Sequence, residues 1–345
     1  MGNTIALPVS YSQALDLVFH LGSKTAVLDV NSNLITIVGK EMKFPKITLD
    51  GLAETDRNGD LVEGDVSYEF ETKTPDYDRN RVFKVDAVDE KEVGGLFSKL
   101  SGLFLNEKVI PEVDAVRFAK YASYSGITDV AASIADGAAL VTALIALKVA
   151  MDEDEIPPEG RILFINATIN SLLLALDTTK RLDVLKYFSQ VIEVPQTRFY
   201  TAITLRDGKT AGQTQGGFYK KGSTHSAWAA ATAYVLNDEI IMAGKIYKCT
   251  TAGTSGATAP TWPATGTVAD GAGALVWTFL AKAGYDINFL CIHPSAILQG
   301  MKHVQPNADS PDTRSDKWRV SYRLYGVNEL FDNKLKGVYC HHKAS

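Results

Sequence analysis

The sequence predicts an α+β protein carrying a small all-β insertion. Three observations lead there. Residues 34–88 read as β, with β-branched residues at Leu34–Val38 and apolar/polar alternation around Val66–Glu71 and Phe83–Ala87, as half-buried strands show. Helix-type and strand-type patterns interleave over residues 126–210. Composition then shifts over residues 211–283: eight of these 73 positions are charged, about half the whole-chain density. That segment also holds Trp228, Trp262 and Trp277, three of the chain's four tryptophans, and ten glycines.

The 345 residues allow two or three domains. Residues 1–34 mix a short helical pattern (Ala14, Leu15, Val18, Phe19, closed by Gly22) with extended pieces, and read as an arm that must pack on something else. Leu34–Val38 is rich in β-branched residues, and Lys43–Ile47 follows with Pro45, which favours an edge. Asn58-Gly59, within Asp56–Asp60, is a hairpin-turn signal. Beyond it, Val66, Tyr68 and Phe70 alternate with Ser67, Glu69 and Glu71, and Phe83, Val85 and Ala87 alternate with Lys84 and Asp86. A long two-stranded excursion of this kind is marginal alone and is expected to lie across a neighbouring molecule.

Helical spacing takes over in residues 89–124 through Phe97, Leu100, Phe104, Val113 and Val116, with Pro111 expected to kink or restart the helix. A second helix is expected over 128–151, capped by Thr128 or Asp129, its acidic end Asp152–Glu155 unfavourable inside a last turn. Arg161–Ile165 is a short continuous apolar run, as for a strand buried on both faces. A helix near 168–177 and mixed strand segments through Arg206 follow. In the insertion, Glu239–Ala243, Lys245–Thr250 and Leu275–Leu280 read as strands between Gly/Thr/Pro-rich turns, flanked by flexible Gly-rich joints. Ile287–Ile292 is an apolar strand, His293-Pro-Ser295 is expected to open a helix to about Lys302, and Trp318–Lys336 leads into a last apolar strand, Gly337–Cys340.

Chemistry is sparse. Lysine plus arginine is 35 and aspartate plus glutamate 40, so the net charge is −5, a poor balance for wrapping nucleic acid through its phosphates. Cys249, Cys291 and Cys340 form no CxxC pair, and their odd number argues against a disulfide framework. Gly208-Lys209-Thr210 lacks the earlier glycine of a phosphate loop, because Ile203 stands there. Asp56, Asn58 and Asp60 do not continue as a calcium loop, because Leu61 and Ser67 stand where Gly and Glu belong. Gly253–Gly256 is not a nucleophile elbow. His341-His342 has no third ligand nearby and reads as a solvent-exposed tail; His20, His225, His293 and His303 read as structural. No catalytic set, cofactor or metal is expected. The first twenty residues show no secretory pattern, and the most apolar run, Ala138–Leu147, is about half a membrane span. A soluble chain kept inside the cell that makes it is expected.

Val109-Ile-Pro-Glu-Val-Asp-Ala-Val-Arg-Phe118, Ile287-Asn-Phe-Leu-Cys-Ile-His-Pro-Ser-Ala296, and Tyr322-Arg-Leu-Tyr325 followed by Asp332-Asn-Lys-Leu-Lys-Gly-Val-Tyr339 resemble the major capsid proteins of tailed bacteriophages, which have the Hong Kong 97 fold. The resemblance covers residues 1–210 and 284–345. It implies an N-terminal arm at 1–34; a P-domain at 35–125 with an E-loop at 50–78 and a spine helix at 90–124; an A-domain at 126–210 and 284–315; and P-domain strands returning at 316–345. It further implies a virion protein, assembled in the host cytoplasm, that associates with itself as pentamers and hexamers around double-stranded DNA without sequence-specific binding. Portal, scaffolding and decoration proteins are the implied partners, with scaffolding expected as a separate protein. An encapsulin-type nanocompartment and a glycan-binding surface protein are the alternatives.

Trp228 with Tyr234, Tyr247-Lys-Cys249, Ala252–Gly256, Trp262-Pro263, Asp270-Gly271 and Trp277 resemble a small β domain of phage structural proteins, similar to chitin-binding-type carbohydrate modules. That resemblance implies glycan stacking by Trp262, Trp228 and Tyr234 and a host-surface glycan as partner, with Trp262, in a turn, the most exposed. The alternative is that Trp228, Tyr247 and Trp277 simply fill the core of a module too small to do without large side chains.

Overall fold

The computed structural model describes residues 22–29, 36–38, 41–54, 63–86, 102–271, 273–309 and 317–344. Most of the expected arm, the Asn58-Gly59 turn, and Phe97 and Leu100 of the expected spine helix lie outside the described residues. The chain divides into two compact units.

The first unit holds two three-stranded antiparallel sheets. In one, β1 (Thr36–Val38), β2 (Glu41–Leu49) and β3 (Val66–Lys73) pair in that order. The described pairing of β1 stops at Lys43, so Pro45 falls past it, where its missing N–H costs no ladder bond. In the other, β18 (Ile297–Asp309), β19 (Lys317–Leu330) and β4 (Tyr77–Asp86) are ordered with β19 in the middle. The expected helix after His293 is therefore corrected: only a 3₁₀ turn, Pro294–Ala296, precedes a 13-residue strand. β18 pairs along most of its length with β19, from Ile297↔Leu330 to Asp309↔Arg319, and that ladder outweighs local helical spacing. The expected excursion of 50–78 is corrected too. Its two ribbon strands are β2 and β3, whereas β4 pairs with β19, more than two hundred residues away.

The second unit is built on a mixed five-stranded sheet. Its strands are β5 (Thr128–Ala131), β6 (Ile162–Asn166), β7 (Gln190–Val194), β17 (Ile287–Ile292) and β20 (Val338–His342), ordered β5-β20-β17-β6-β7. β6 is buried at all five positions, as its continuous apolar run requires. Helix α2 (Gly137–Glu153) covers one face, with Leu140, Leu144, Leu147 and Met151 packed on Leu163, Ile165, Phe289, Cys291 and Tyr339. Helix α1 (Ile110–Ala122) serves the other, where Phe118 meets Phe164 and Phe199 edge-on at 5.2 and 4.9 Å. A π-helical turn, Leu105–Val109, leads into α1, and the Ile110 N–H bonds Leu105 O; Pro111 then sits in the first turn, so the expected restart occurs there.

Further expectations change here. Thr128–Ala131 is an edge strand, not a helix start; α2 begins at Asp136, whose carboxylate accepts from the Ala139 N–H at 2.8 Å. Asp152 does sit in the last turn, and Lys148 (2.6 Å) and the buried Arg161 (2.8 Å) offset its charge. After α3 (Ala167–Leu174) comes α4 (Thr178–Leu185), where strands were expected; α4 buries only Val184, too little to print a helical period. The spine-helix residues of α1 belong to this second unit, not with 35–86. β19 pairs with β4 in the first unit, whereas β20 lies between β17 and β5 in the second.

The segment expected as an insertion, 211–283, follows the first strand of a short hairpin, β8 (Ile203–Leu205) with β9 (Phe218–Lys220). β10 (Ser226–Ala227), β12 (Glu239–Met242), β13 (Lys245–Thr251), β15 (Thr267–Ala269) and β16 (Val276–Lys282) make a five-stranded sheet; β11 (Ala233–Tyr234) pairs with β14 (Gly253–Thr254). Ile240, Tyr247, Cys249, Leu275 and Trp277 form its core. Its joints are tied rather than flexible. Lys221 N bonds Ala202 O (3.1 Å), Gly284 N bonds Lys221 O (2.9 Å), and Lys220 pairs with Asp286 (3.0 Å). The Tyr285 phenol donates to Gly244 O at 3.0 Å, and a Cβ on Gly244 would stand 1.5 Å from that phenol oxygen, so only glycine fits.

Candidate functional site

The β2–β3 ribbon carries the clearest candidate surface. Its register sets Leu49 opposite Val66, Ile47 opposite Tyr68 and Pro45 opposite Phe70. Opposed residues share a face, so the side of the ribbon that carries Ile47, Leu49, Val66, Tyr68 and Phe70 is apolar toward the tip, and the pair Lys43 and Thr72 ends that stretch at the other end. Ile47, Leu49, Val66, Tyr68 and Phe70 are each 56–66% exposed. Tyr68 and Phe70 meet edge-on at 5.3 Å. The opposite face takes Lys46 opposite Glu69 and Thr48 opposite Ser67. Pairing closes at Asp50 and Asp65, where the Asp65 N–H donates to Asp50 Oδ2 at 2.8 Å. Beyond it Leu52 is fully exposed, and the described charges of the tip, Asp50, Glu54, Glu63 and Asp65, are all acidic. A ribbon with one bare apolar face associates with whatever covers it.

The residues expected to stack on sugars lie in the insertion. All three pack around its core rather than forming an open platform. The Trp228 indole N–H donates to Asp270 Oδ2 at 2.7 Å, beside that of Trp277 at 3.0 Å, and the Gly256 N–H reaches Oδ1 at 2.9 Å. Asp270 is buried, so its carboxylate exchanges water for three fixed donors. Tyr234 stands edge-on to Trp277 at 4.8 Å, and its hydroxyl accepts from the Ala229 N–H at 2.9 Å. Trp262 leans on Tyr247 at 4.5 Å and is half-buried, its indole N–H sealed without a partner. The expectation of an exposed Trp262 is corrected: the Tyr247 phenol, bonded to Pro263 O at 2.6 Å, draws the turn onto the core. The geometry supports the core-filling alternative.

Two polar clusters escaped sequence reasoning. Asp114 on α1 is buried and accepts from Ser23 Oγ (2.7 Å), Lys24 N (3.0 Å), Thr25 N (3.2 Å), Thr25 Oγ1 (2.8 Å) and Arg198 Nη1 (3.0 Å). Arg117, also buried, donates to Thr25 Oγ1 at 2.9 Å. The signal was present: two charged residues at i and i+3 inside an otherwise apolar helix face. The second cluster surrounds His341 and His342. Both are buried, so the expectation of a solvent-exposed tail is corrected, β20 being an interior strand of its sheet. Among the described residues no group of three or more His, Cys, Asp or Glu is placed to hold a metal ion, and no helix is long and apolar enough to cross a membrane.

No family model matches the sequence, and no curated protein matches it. Among solved structures, the chain is similar to the capsid of the cyanophage P-SCSP1u, at 13% identity over 90% of this chain and 85% of that one, with a TM-score of 0.48. It is similar to the mature capsid of bacteriophage PhiM1, at 10% identity over 88% of this chain and 82% of that one, TM-score 0.49. It is similar as well to a virus-like particle from Pyrococcus furiosus, at 11% identity over 96% of this chain and all of that one, TM-score 0.43.

Proposed function

We propose that this chain is the major capsid protein of a tailed bacteriophage, tiling as pentamers and hexamers into an icosahedral container for double-stranded DNA. The observation that supports it most is the bare apolar face of the β2–β3 ribbon, five large side chains each more than half exposed. A second copy of the chain is the partner always present at assembly, and repeated identical contacts close into shells when the geometry is symmetric. The net charge of −5 suits a wall that encloses nucleic acid without gripping it. Residence in the virion, assembly in the host cytoplasm, and portal, scaffolding and decoration partners belong to the same proposal.

Electron microscopy of the expressed full chain, alone and with phage scaffolding protein, tests it. Closed shells of uniform diameter, or free rings of five and six subunits, are the expected result. A chain that stays monomeric at high concentration in both conditions refutes it.

A further inference from the structure

Strand β20 ends in two adjacent buried histidines with opposite surroundings. The Asn288 amide nitrogen donates to Ala132 O at 3.1 Å and lies 3.0 Å from His341 Nδ1, so that ring nitrogen accepts. The His341 ring stacks on Phe289 at 4.7 Å. Burial and the neighbouring His342 hold its pKa low, and it stays neutral.

His342 meets acceptors on both sides. Nδ1 lies 2.9 Å from the Lys343 carbonyl and Nε2 lies 3.4 Å from Asp129 Oδ1 on β5. Only the doubly protonated ring can donate to both. The ring stacks at 4.8 Å on Tyr285, the residue whose phenol brackets Gly244 at the root of the insertion. Next to it, Lys343 N donates to Asp286 O at 2.8 Å, and the Asp286 carboxylate holds Lys220. One imidazole therefore joins the edge strand β5, the last strand β20 and the base of the insertion.

We propose that His342 is a pH-sensitive anchor for the root of the insertion. As an imidazolium it ties β20 to β5 through Asp129 and backs the Tyr285 bracket; as a neutral ring it keeps one N–H, which the shorter contact from Nδ1 to the Lys343 carbonyl (2.9 against 3.4 Å) retains, so Nε2 presents a bare lone pair to the carboxylate and releases it. The groups facing it are Asp129 from β5, Lys282 from the end of β16, Tyr285 and Asp286 from the return link, His341 on its own strand and Lys343 just past the end of that strand. Burial works against the charge, and Lys282 opposes it. The bonds to Asp129 and the Lys343 carbonyl outweigh both, so the His342 pKa stands above its ordinary 6.5. Cys340, the register partner of Asp129, is pushed well up by burial and that carboxylate, and remains a thiol. A raised folded-state pKa means that the anchoring contribution is full below about pH 6.5 and fades as pH rises through the folded value. The device does not depend on what the chain assembles into.

Hydrogen exchange on the full chain, corrected for intrinsic rates, between about pH 5.5 and about pH 8.5 tests the anchor. Exchange in 128–131 and in 222–285 is expected to rise several-fold toward the alkaline end. His342→Gln, whose amide N–H donates to Asp129 at every pH, is expected to flatten that slope. His225→Gln, which alters the histidine 3.4 Å from Glu239 inside the insertion, is expected to leave it. A flat wild-type profile, a slope that survives His342→Gln, or one that disappears with His225→Gln overturns the proposal. Should His342→Gln fail to fold, Asp129→Asn removes the carboxylate instead, and a slope retained in that variant overturns it equally.

Discussion

Replacing Tyr68 and Phe70 together with threonine asks whether the ribbon face drives association. Threonine keeps β propensity, so the substitution acts on the surface rather than on the strand. Fully burying a side chain of this size is worth about 1.5–3 kcal/mol. Tyr68 is 58% and Phe70 56% exposed, so covering what remains is worth about 1–2 kcal/mol each. The pair then contributes about 2–4 kcal/mol per ribbon, which is about 30-fold to about 700-fold in the association constant at 1.4 kcal/mol per tenfold. Within the subunit the variant loses the edge-on ring contact, about 0.5–1.5 kcal/mol, and the burial of the smaller, covered part of each ring. Sedimentation velocity reads association and a circular-dichroism melt reads the subunit fold. The expected result is weaker assembly by a subunit that melts somewhat lower but is still folded at the assay temperature. Unchanged assembly refutes the role of the face; loss of assembly together with unfolding refutes its being free surface.

Asp270→Ala strands the Trp228, Trp277 and Gly256 N–H groups inside the insertion and is expected to cost about 3 kcal/mol or more, read by tryptophan fluorescence, since three of the four indoles lie there. An unchanged fluorescence melt would mean that the carboxylate is not their shared acceptor. Asp114→Ala leaves Arg198 and the Ser23–Thr25 segment without their acceptor and is expected to cost about 3–5 kcal/mol and to open that segment to proteolysis. Burial pushes the Cys291 thiol up to about 12 and raises Cys340 and Cys249 as well, so no thiol should react rapidly in the native chain at about pH 8, and three should react once it unfolds.

Local signals were legible where burial is local. The run Arg161–Ile165 marks a strand covered on both faces, and β6 is one. Alternation at Val66, Tyr68 and Phe70 marks a strand with one apolar face, and β3 has it. Scarce charge and clustered tryptophan mark residues 211–283, and Trp277 and Tyr247 pack together in a core there. Partner choice was not legible, because a period of two specifies a strand without naming its neighbour. β4 pairs with β19 and β20 with β5 across more than two hundred intervening residues, and no window of sequence contains both members. Separation in sequence also hid the polar sites. Ser23 meets Asp114, and His342 meets Asp129, only after the sheet brings them together. A charged or titratable side chain takes its character from the groups that desolvate and pair it, and those are chosen by the packed chain rather than by its neighbours in sequence.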